Sequence, residues 1–334
     1  MKLLPASITY KCAMPRIAAN LAELIDKLPF VELSPSDFNG IGFIEPIQHE
    51  GLVLTFDGGY AFALRYDEKI VPASAVKAET KKRSSKIKEE QGFKPGRKQT
   101  KEIREAVQAE LTHRALTKSK VIQCFYIIEH NLLMLPTTSK SLADRVMARI
   151  VKAMCSLEAT TIYLSTAKSS LTTRLMRYLE SDYDSFGDFI VGSKCKLCGS
   201  DGEKFSFDLS QSLSGANQGL REAVAGGALV SEIELRTGAI TFRLTEEFRL
   251  KGISMQDDGA GSEEFDSELD HWKHEAAVQT RFITEAINDL CELLGYKESD
   301  LCGKVNSGHA CTMKKGSECP DCAGIKGETI GAGD

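Results

Sequence analysis

Five residues near the C-terminus, Cys302, His309, Cys311, Cys319 and Cys322, have the side chains and part of the spacing of a zinc site. Cys319 and Cys322 form a C-x2-C pair, which lets two thiolates reach one tetrahedral ion. Their partners are less regular: Cys302 with Cys311, or His309 with Cys311. Two readings stay open, one structural zinc or an incidentally cysteine-rich tail. Cys195 and Cys198 form a second C-x2-C with no further pair close by in sequence. A buried structural thiol is the favoured reading there, against a redox or metal role.

Hydrolytic metal chemistry would need clustered carboxylates holding two ions about 4 Å apart. Asp257, Asp258, Glu263, Glu264 and Asp266 are acidic neighbours, but they stand in a Gly/Ser-rich stretch that reads as a solvated loop. The chain contains no phosphate-binding G-x4-GK[ST] loop, G-x-S-x-G elbow or H-E-x-x-H pair, so a nucleotide-driven motor is not expected. His49, His130 and His271 have no recognisable catalytic partners.

The strongest chemical signal is charge. Residues 77–120 hold 14 Lys+Arg against 6 Asp+Glu, while the rest of the chain holds 28 against 41. A segment of net charge +8 on a body of −13 suits contact with phosphates, which attract cations at long range and release counterions on contact. The candidate contacts are Lys77, Lys81, Lys82, Arg83, Lys86 and Lys88, then Lys94, Arg97, Lys98, Lys101 and Arg104, then Arg114, Lys118 and Lys120. The alternative is a solvated helical hairpin whose acids supply i,i+4 partners. Phe93 is the only aromatic in the segment, so duplex backbone contact is favoured over base stacking on single strands.

The elements that must position these residues are partly legible. Val76–Glu90 and Thr100–Leu116 read as two helices broken by Gly92, Pro95 and Gly96, a finger inserted between two strands. Before it, 52–57 and 60–66 read as strands joined at Gly58-Gly59. After it, 121–135 return to strand character. A helix is expected over 15–28, and another over 139–157 with Ser141 and Asp144 as its capping box. Further expectations are a strand at 161–164, a helix at 169–179, strands over 228–235 and 239–244, and a long helix over 275–294 ended by Gly295. Residues 256–270 read as an acidic loop.

Irregular alternation with hairpins predicts an α+β fold with antiparallel or mixed sheets and packed helices. The predicted domains are a central α+β domain (1–74 plus 121–165), the basic finger (75–120), a base domain (166–298) and a flexible or zinc-ordered tail (299–334). The chain is long enough for two or three domains. It lacks any run of 18 apolar residues, and its N-terminus lacks a continuous apolar signal region, so no membrane role is expected. Ten dispersed cysteines then suggest a reducing, cytoplasmic setting.

Several short landmarks, in shared order, give the chain a resemblance to the RdgC family of bacterial recombination-associated DNA-binding proteins. They are Glu68-Lys69-Ile70-Val71-Pro72 before the finger, and Glu102 through Arg114-Ala115-Leu116 leading into the strands at 121–135. Next come Ala143-Asp144-Arg145-Val146 and Phe186-Gly187-Asp188-Phe189 leading to Cys195-Lys196-Leu197. The last are the strand pair around Val230–Met255 and the helix ending Leu294-Gly295. Together they span roughly residues 1–298.

The resemblance implies a ring-forming homodimer around double-stranded DNA, nucleoid-associated and without marked sequence preference, that restrains strand exchange by a RecA-type recombinase. It implies no required cofactor and no catalytic residue, and it places Leu116 at a dimer contact. The chain departs from the family pattern at His271-Trp272-Lys273-His274-Glu275, before Asp208-Leu209, where only Lys204 is basic, and in its cysteine-bearing tail. A divergent, phage-borne member would fit these departures. Two other readings are a metal-dependent exonuclease, and a protein-interaction scaffold with a zinc-binding tail.

Overall fold

The computed structural model describes residues 2–155, 157–162, 167–209, 216–256 and 265–296, plus the backbone of 304–306 and 309–310. The fold is α+β, built on a large sheet whose strand pairs are antiparallel. Strand β1 (Ala6–Cys12) joins its two halves: Ile8–Lys11 pair with β6 (Leu132–Leu135), and Ala6–Ser7 pair with β12 (Leu250–Met255).

On one side of β1, β6 leads to β5 (Thr117–Ile127), β4 (Gly59–Lys69) and β2 (Asn39–Ile44), with β3 (Val53–Phe56) also paired to β4. On the other side, β12 leads to β11 (Ile240–Thr245), β10 (Leu229–Arg236), β8 (Ile190–Cys198) and β9 (Lys204–Asp208). Strand β7 (Leu157–Thr161) also pairs with β1. The short strands β13 (Lys304–Asn306) and β14 (His309–Ala310) pair with each other, and β13 with β7.

The helices are α1 (Ala18–Ile25), α2 (Ala73–Gln91), α3 (Arg97–Arg114), α4 (Lys140–Met154), α5 (Ala167–Leu179), α6 (Ala216–Ala225) and α7 (Glu268–Leu293). Among the described residues, no helix is long and apolar enough to cross a membrane. Two apolar clusters fill the interior. One gathers α1 and α4 against β1, β4, β5 and β6. The other gathers α5 and α7 against β8 and β10–β12, and reaches Phe56 and Phe125. Trp272, the only tryptophan of the chain, stacks on Phe125 with ring centres 6.2 Å apart.

Several local expectations are revised. The cap of α4 is Ser139, whose hydroxyl accepts from the Leu142 N–H, and Ser141 lies inside the first turn. The helix stops at Met154 because Cys155 takes a positive φ of 61°, and Leu157 opens β7 instead of closing α4. Of the strand expected at 161–164, Thr161 closes β7, which opens at Leu157, and residues 163–164 lie outside the described residues. Helix α7 starts seven residues before the expected Glu275, capped by Ser267 onto the Asp270 N–H, because burial of Trp272 extends its apolar face.

At the β3–β4 hairpin the turn is Asp57-Gly58, with Gly58 at φ 88°. Gly59 already belongs to β4. A Cβ there would stand 2.1 Å from the Tyr126 carbonyl oxygen, so the close strand approach requires glycine. Strands β1, β2, β8, β9 and β12 and helix α6 were not expected from the hydrophobic periodicity of the sequence.

Candidate nucleic-acid interface

Helices α2 and α3 sit between two paired strands. Strands β4 and β5 keep register from Gly59↔Ile127 to Lys69↔Thr117, and the Ile70 N–H donates to the Leu116 carbonyl at 2.8 Å just beyond. The chain leaves at Pro72, turns at Gly92 (φ 80°) and returns at Arg114. Nineteen and 18 residues give arms of about 28 and 27 Å at 1.5 Å per residue.

Little apolar surface holds this hairpin together: Val76 and Val107 are buried, while Ile87, Ile103 and Leu111 are half-buried. Helix propensity of the Lys, Glu, Ala and Arg content, with cross-helix pairing, must supply the rest. The clearest cross-link is Arg83. Its Nε donates to Glu79 Oε1 at 3.0 Å, and its Nη2 donates to Glu110 Oε2 on α3 at 2.6 Å. The hydrogen bond to Glu110 raises the Arg83 pKa, and Arg83 lowers that of Glu110.

The cations fall into three groups. Arg83 is committed to the hairpin itself. Lys86 faces Glu90 at 3.9 Å and Lys101 faces Glu105 at 3.8 Å, both exposed i,i+4 pairs of small weight. Lys77, Lys81, Lys82, Lys88, Lys94, Arg97, Lys98, Arg104, Arg114, Lys118 and Lys120 are exposed and have no ion-pair partner among the described residues.

Helical spacing sorts part of this last group by face. Lys77, Lys81 and Lys88 share one stripe of α2. With Lys94 and Arg104 they rim an open groove of about 720 Å³, floored partly by the hydroxyl-bearing Thr80, Ser84, Ser85 and Thr100. No carboxylate lines it. The opposite face of α2 presents Glu79, Lys82 and Arg83 beside Glu110, where charges balance. Five of the unpaired cations thus line one groove without a carboxylate, and Lys82 lies on the other face. Fixed cations and hydroxyls at this spacing can bind a row of phosphates, but they offer no pattern for reading base edges.

A second cationic group was invisible in the sequence. On the sheet, Glu232 accepts from Lys196 Nζ at 3.0 Å, Arg243 Nη1 at 3.0 Å and Lys251 Nζ at 3.1 Å. Burial acts to raise the Glu232 carboxyl, but the hydrogen bonds and charges of Lys196 and Lys251 hold it below the ordinary carboxylate range. Gly252, at φ 61°, lies beneath the Arg243 guanidinium, where a Cβ would come within 3.1 Å of Nη2. The four charges sit on β8, β10, β11 and β12, so only tertiary register brings them together.

The remaining sequence candidates separate. Cys195 faces inward and burial pushes its thiol up to about 12, whereas Cys198, three residues on, lies on the other strand face. Three residues along a strand point two side chains apart, so this C-x2-C does not converge on one ion. Cys302, Cys311, Cys319 and Cys322 lie outside the described residues, as do Asp257, Asp258, Glu263 and Glu264; of His309 only the backbone is described. Among the described residues, no three His, Cys, Asp or Glu side chains are grouped to hold a metal. Leu116 is 80% exposed at the root of the hairpin, beside the exposed Ile70.

Comparison with known proteins gives one consistent answer. Residues 6–297 match the RdgC family, described as "Putative exonuclease, RdgC". A protein named "Recombination-associated protein RdgC" from Cupriavidus pinatubonensis is 26% identical over 256 residues, covering 74% of this chain and 84% of that protein. Proteins of the same name from Dechloromonas aromatica and Janthinobacterium sp. (strain Marseille) are 23% and 25% identical. Each covers 83% of this chain, and 91% and 92% of those relatives respectively are matched. These relatives are named for recombination and not for an enzymatic activity.

Proposed function

The chain belongs to the RdgC family, and from that premise we propose that it binds double-stranded DNA without sequence preference and restrains recombination. The observation that carries this reading is the carboxylate-free groove of Lys77, Lys81, Lys88, Lys94 and Arg104 on a chain of net charge −5. Clustered cations on an otherwise acidic molecule steer a polyanion to one surface and repel it elsewhere. Contact with the phosphate backbone is sequence-independent and is driven by counterion release. The Ser84 and Ser85 hydroxyls add neutral donors to phosphate oxygens without adding a code, whereas Thr80 and Thr100 already donate to the Val76 and Gly96 carbonyls.

The chain acts in this reading as a homodimer that encircles the duplex, with Leu116 at a contact between copies. Support comes from its exposure together with that of its neighbour Ile70, an apolar pair unusual at the root of so polar a hairpin. The recombination role follows the names of the relatives: a duplex held along its backbone by such a protein is a poor partner for a RecA-type filament. The protein is then nucleoid-associated and non-catalytic.

The test combines three measurements on the full chain: binding to two labelled duplexes of unrelated sequence, native mass, and strand exchange by a RecA-type recombinase with increasing protein. Equal affinity for both duplexes, dimer mass and dose-dependent inhibition support the proposal. Release of nucleotides from end-labelled duplex with Mg²⁺ or Mn²⁺ would overturn its non-catalytic part. A lack of duplex binding at low salt would overturn the whole.

A further inference from the structure

Strand β5 is paired on both sides only over part of its length. It meets β4 from Thr117 to Ile127, but meets β6 only from Phe125 to Ile127. Along residues 117–123, the backbone on the β6 side has no strand partner among the described residues. Thr117, Lys118, Ser119, Lys120 and Val121 are all exposed, so both faces are open over 117–121, up to the buried Ile122. An open edge presents alternating N–H and C=O groups in the plane of the sheet, which another strand can satisfy.

We propose that this edge of β5 accepts an extended acidic peptide as an added strand. Lys118 and Lys120 point to one face, and Ser119 and Val121 to the other. The Arg65 guanidinium reaches Ser119 Oγ at 3.4 Å and fixes the second face. The fitting partner carries acids at alternate positions, opposite Lys118 and Lys120, and an apolar residue opposite Val121, which is 60% exposed. Glu68 stands opposite Lys118 on β4, on the far side from the open edge.

Two alternatives fit less well. A phosphodiester can accept from edge amides but donates nothing to the edge carbonyls, and it offers nothing to Val121. A second copy of the chain would pair β5 with β5 about a two-fold axis. Any such pairing centred on Lys118, Ser119 or Lys120 sets lysine opposite lysine, and like charges directly opposite are destabilising. Lysines on an edge also deter indiscriminate pairing, which leaves a partner of opposite charge as the selected one.

The inference stands apart from the DNA reading and is tested separately. The probe is a labelled seven-residue peptide of alternating aspartate and valine, titrated into the full chain at low salt, with amide hydrogen exchange read in parallel. Binding should slow exchange at residues 117–123 and weaken about tenfold in Lys118→Glu/Lys120→Glu, as expected for two reversed cross-strand pairs. Lys77→Glu/Lys81→Glu should leave it intact, and a peptide N-methylated along one edge should bind poorly. If the reversal variant fails to fold, Lys118→Gln/Lys120→Gln replaces it, with a smaller loss in the same direction. Binding that depends on Lys77 and Lys81, or that leaves exchange at 117–123 unchanged, would overturn the inference, as would no binding at all.

Discussion

Arg83 on α2 and Glu110 on α3 are joined by a 2.6 Å hydrogen bond that ties the two arms of the basic hairpin together. The sequence places Arg83 among the phosphate contacts, but its guanidinium already serves Glu79 and Glu110. Replacing Arg83 by Ala should therefore loosen the hairpin more than it removes a DNA contact. Amide exchange across residues 73–114 should rise, and the rise should shrink at high salt, where the wild-type pair is itself screened. Exchange unchanged in the variant at low salt would show that the pair is decorative.

The Glu232 cluster makes stability depend on acid pH. Its carboxyl is lowered in the folded protein, so its contribution is complete above the ordinary value of 4.5 and is lost as pH falls through the folded value. Glu232→Gln should cost about 1–3 kcal/mol at pH 7, since it leaves three cations facing one another around a weaker acceptor. Urea unfolding at pH 7 and below pH 4 checks this. The gap between wild type and variant must narrow toward acid, and a constant gap would mean the carboxylate charge is irrelevant.

Leu116 separates assembly from stability. Because it is 80% exposed, Leu116→Ser should change unfolding free energy by no more than about 0.5 kcal/mol. If copies meet there, native mass should shift toward monomer at the same concentration. An unchanged dimer would move the contact elsewhere.

The thiols should divide by burial. Cys12, Cys124 and Cys195 are buried, with their ionisation pushed upward by desolvation, while Cys155 is exposed. Brief alkylation of the native protein followed by peptide mapping should label Cys155 and spare the other three. Early labelling at Cys195 would contradict its structural role and reopen a redox one.

What could be read in advance was what is local. The two arms and their break at Gly92 follow from composition and one glycine, and they were placed to within three residues. The Asp57-Gly58 turn was similarly plain. Strand β8 escaped because Gly192, Ser193, Lys194 and Lys196 dilute the apolar alternation that its neighbours enforce. The early start of α7 depends on Trp272 finding Phe125, a contact no window around residue 270 contains. The same holds for the Lys196–Glu232–Arg243–Lys251 group and for the open edge of β5, which exist only once strand order is known. In the groove, the excess of charge was readable but the grouping of Lys77, Lys81, Lys88, Lys94 and Arg104 was not. Which cations share a face with no carboxylate depends on how α2 packs on α3, as the meeting of Glu79 and Glu110 at Arg83 on the other side illustrates.

The central claim is that the groove face of α2 is the duplex interface. The most direct measurement is the salt dependence of duplex affinity for the wild type, for Lys77→Glu/Lys81→Glu/Lys88→Glu, and for Lys82→Glu on the opposite face. The account predicts a large loss of affinity in the triple variant and a log–log salt slope flattened by about 0.9 per lost phosphate contact, with Lys82→Glu close to wild type. Equal slopes for wild type and the triple variant would contradict it and place the DNA on another surface.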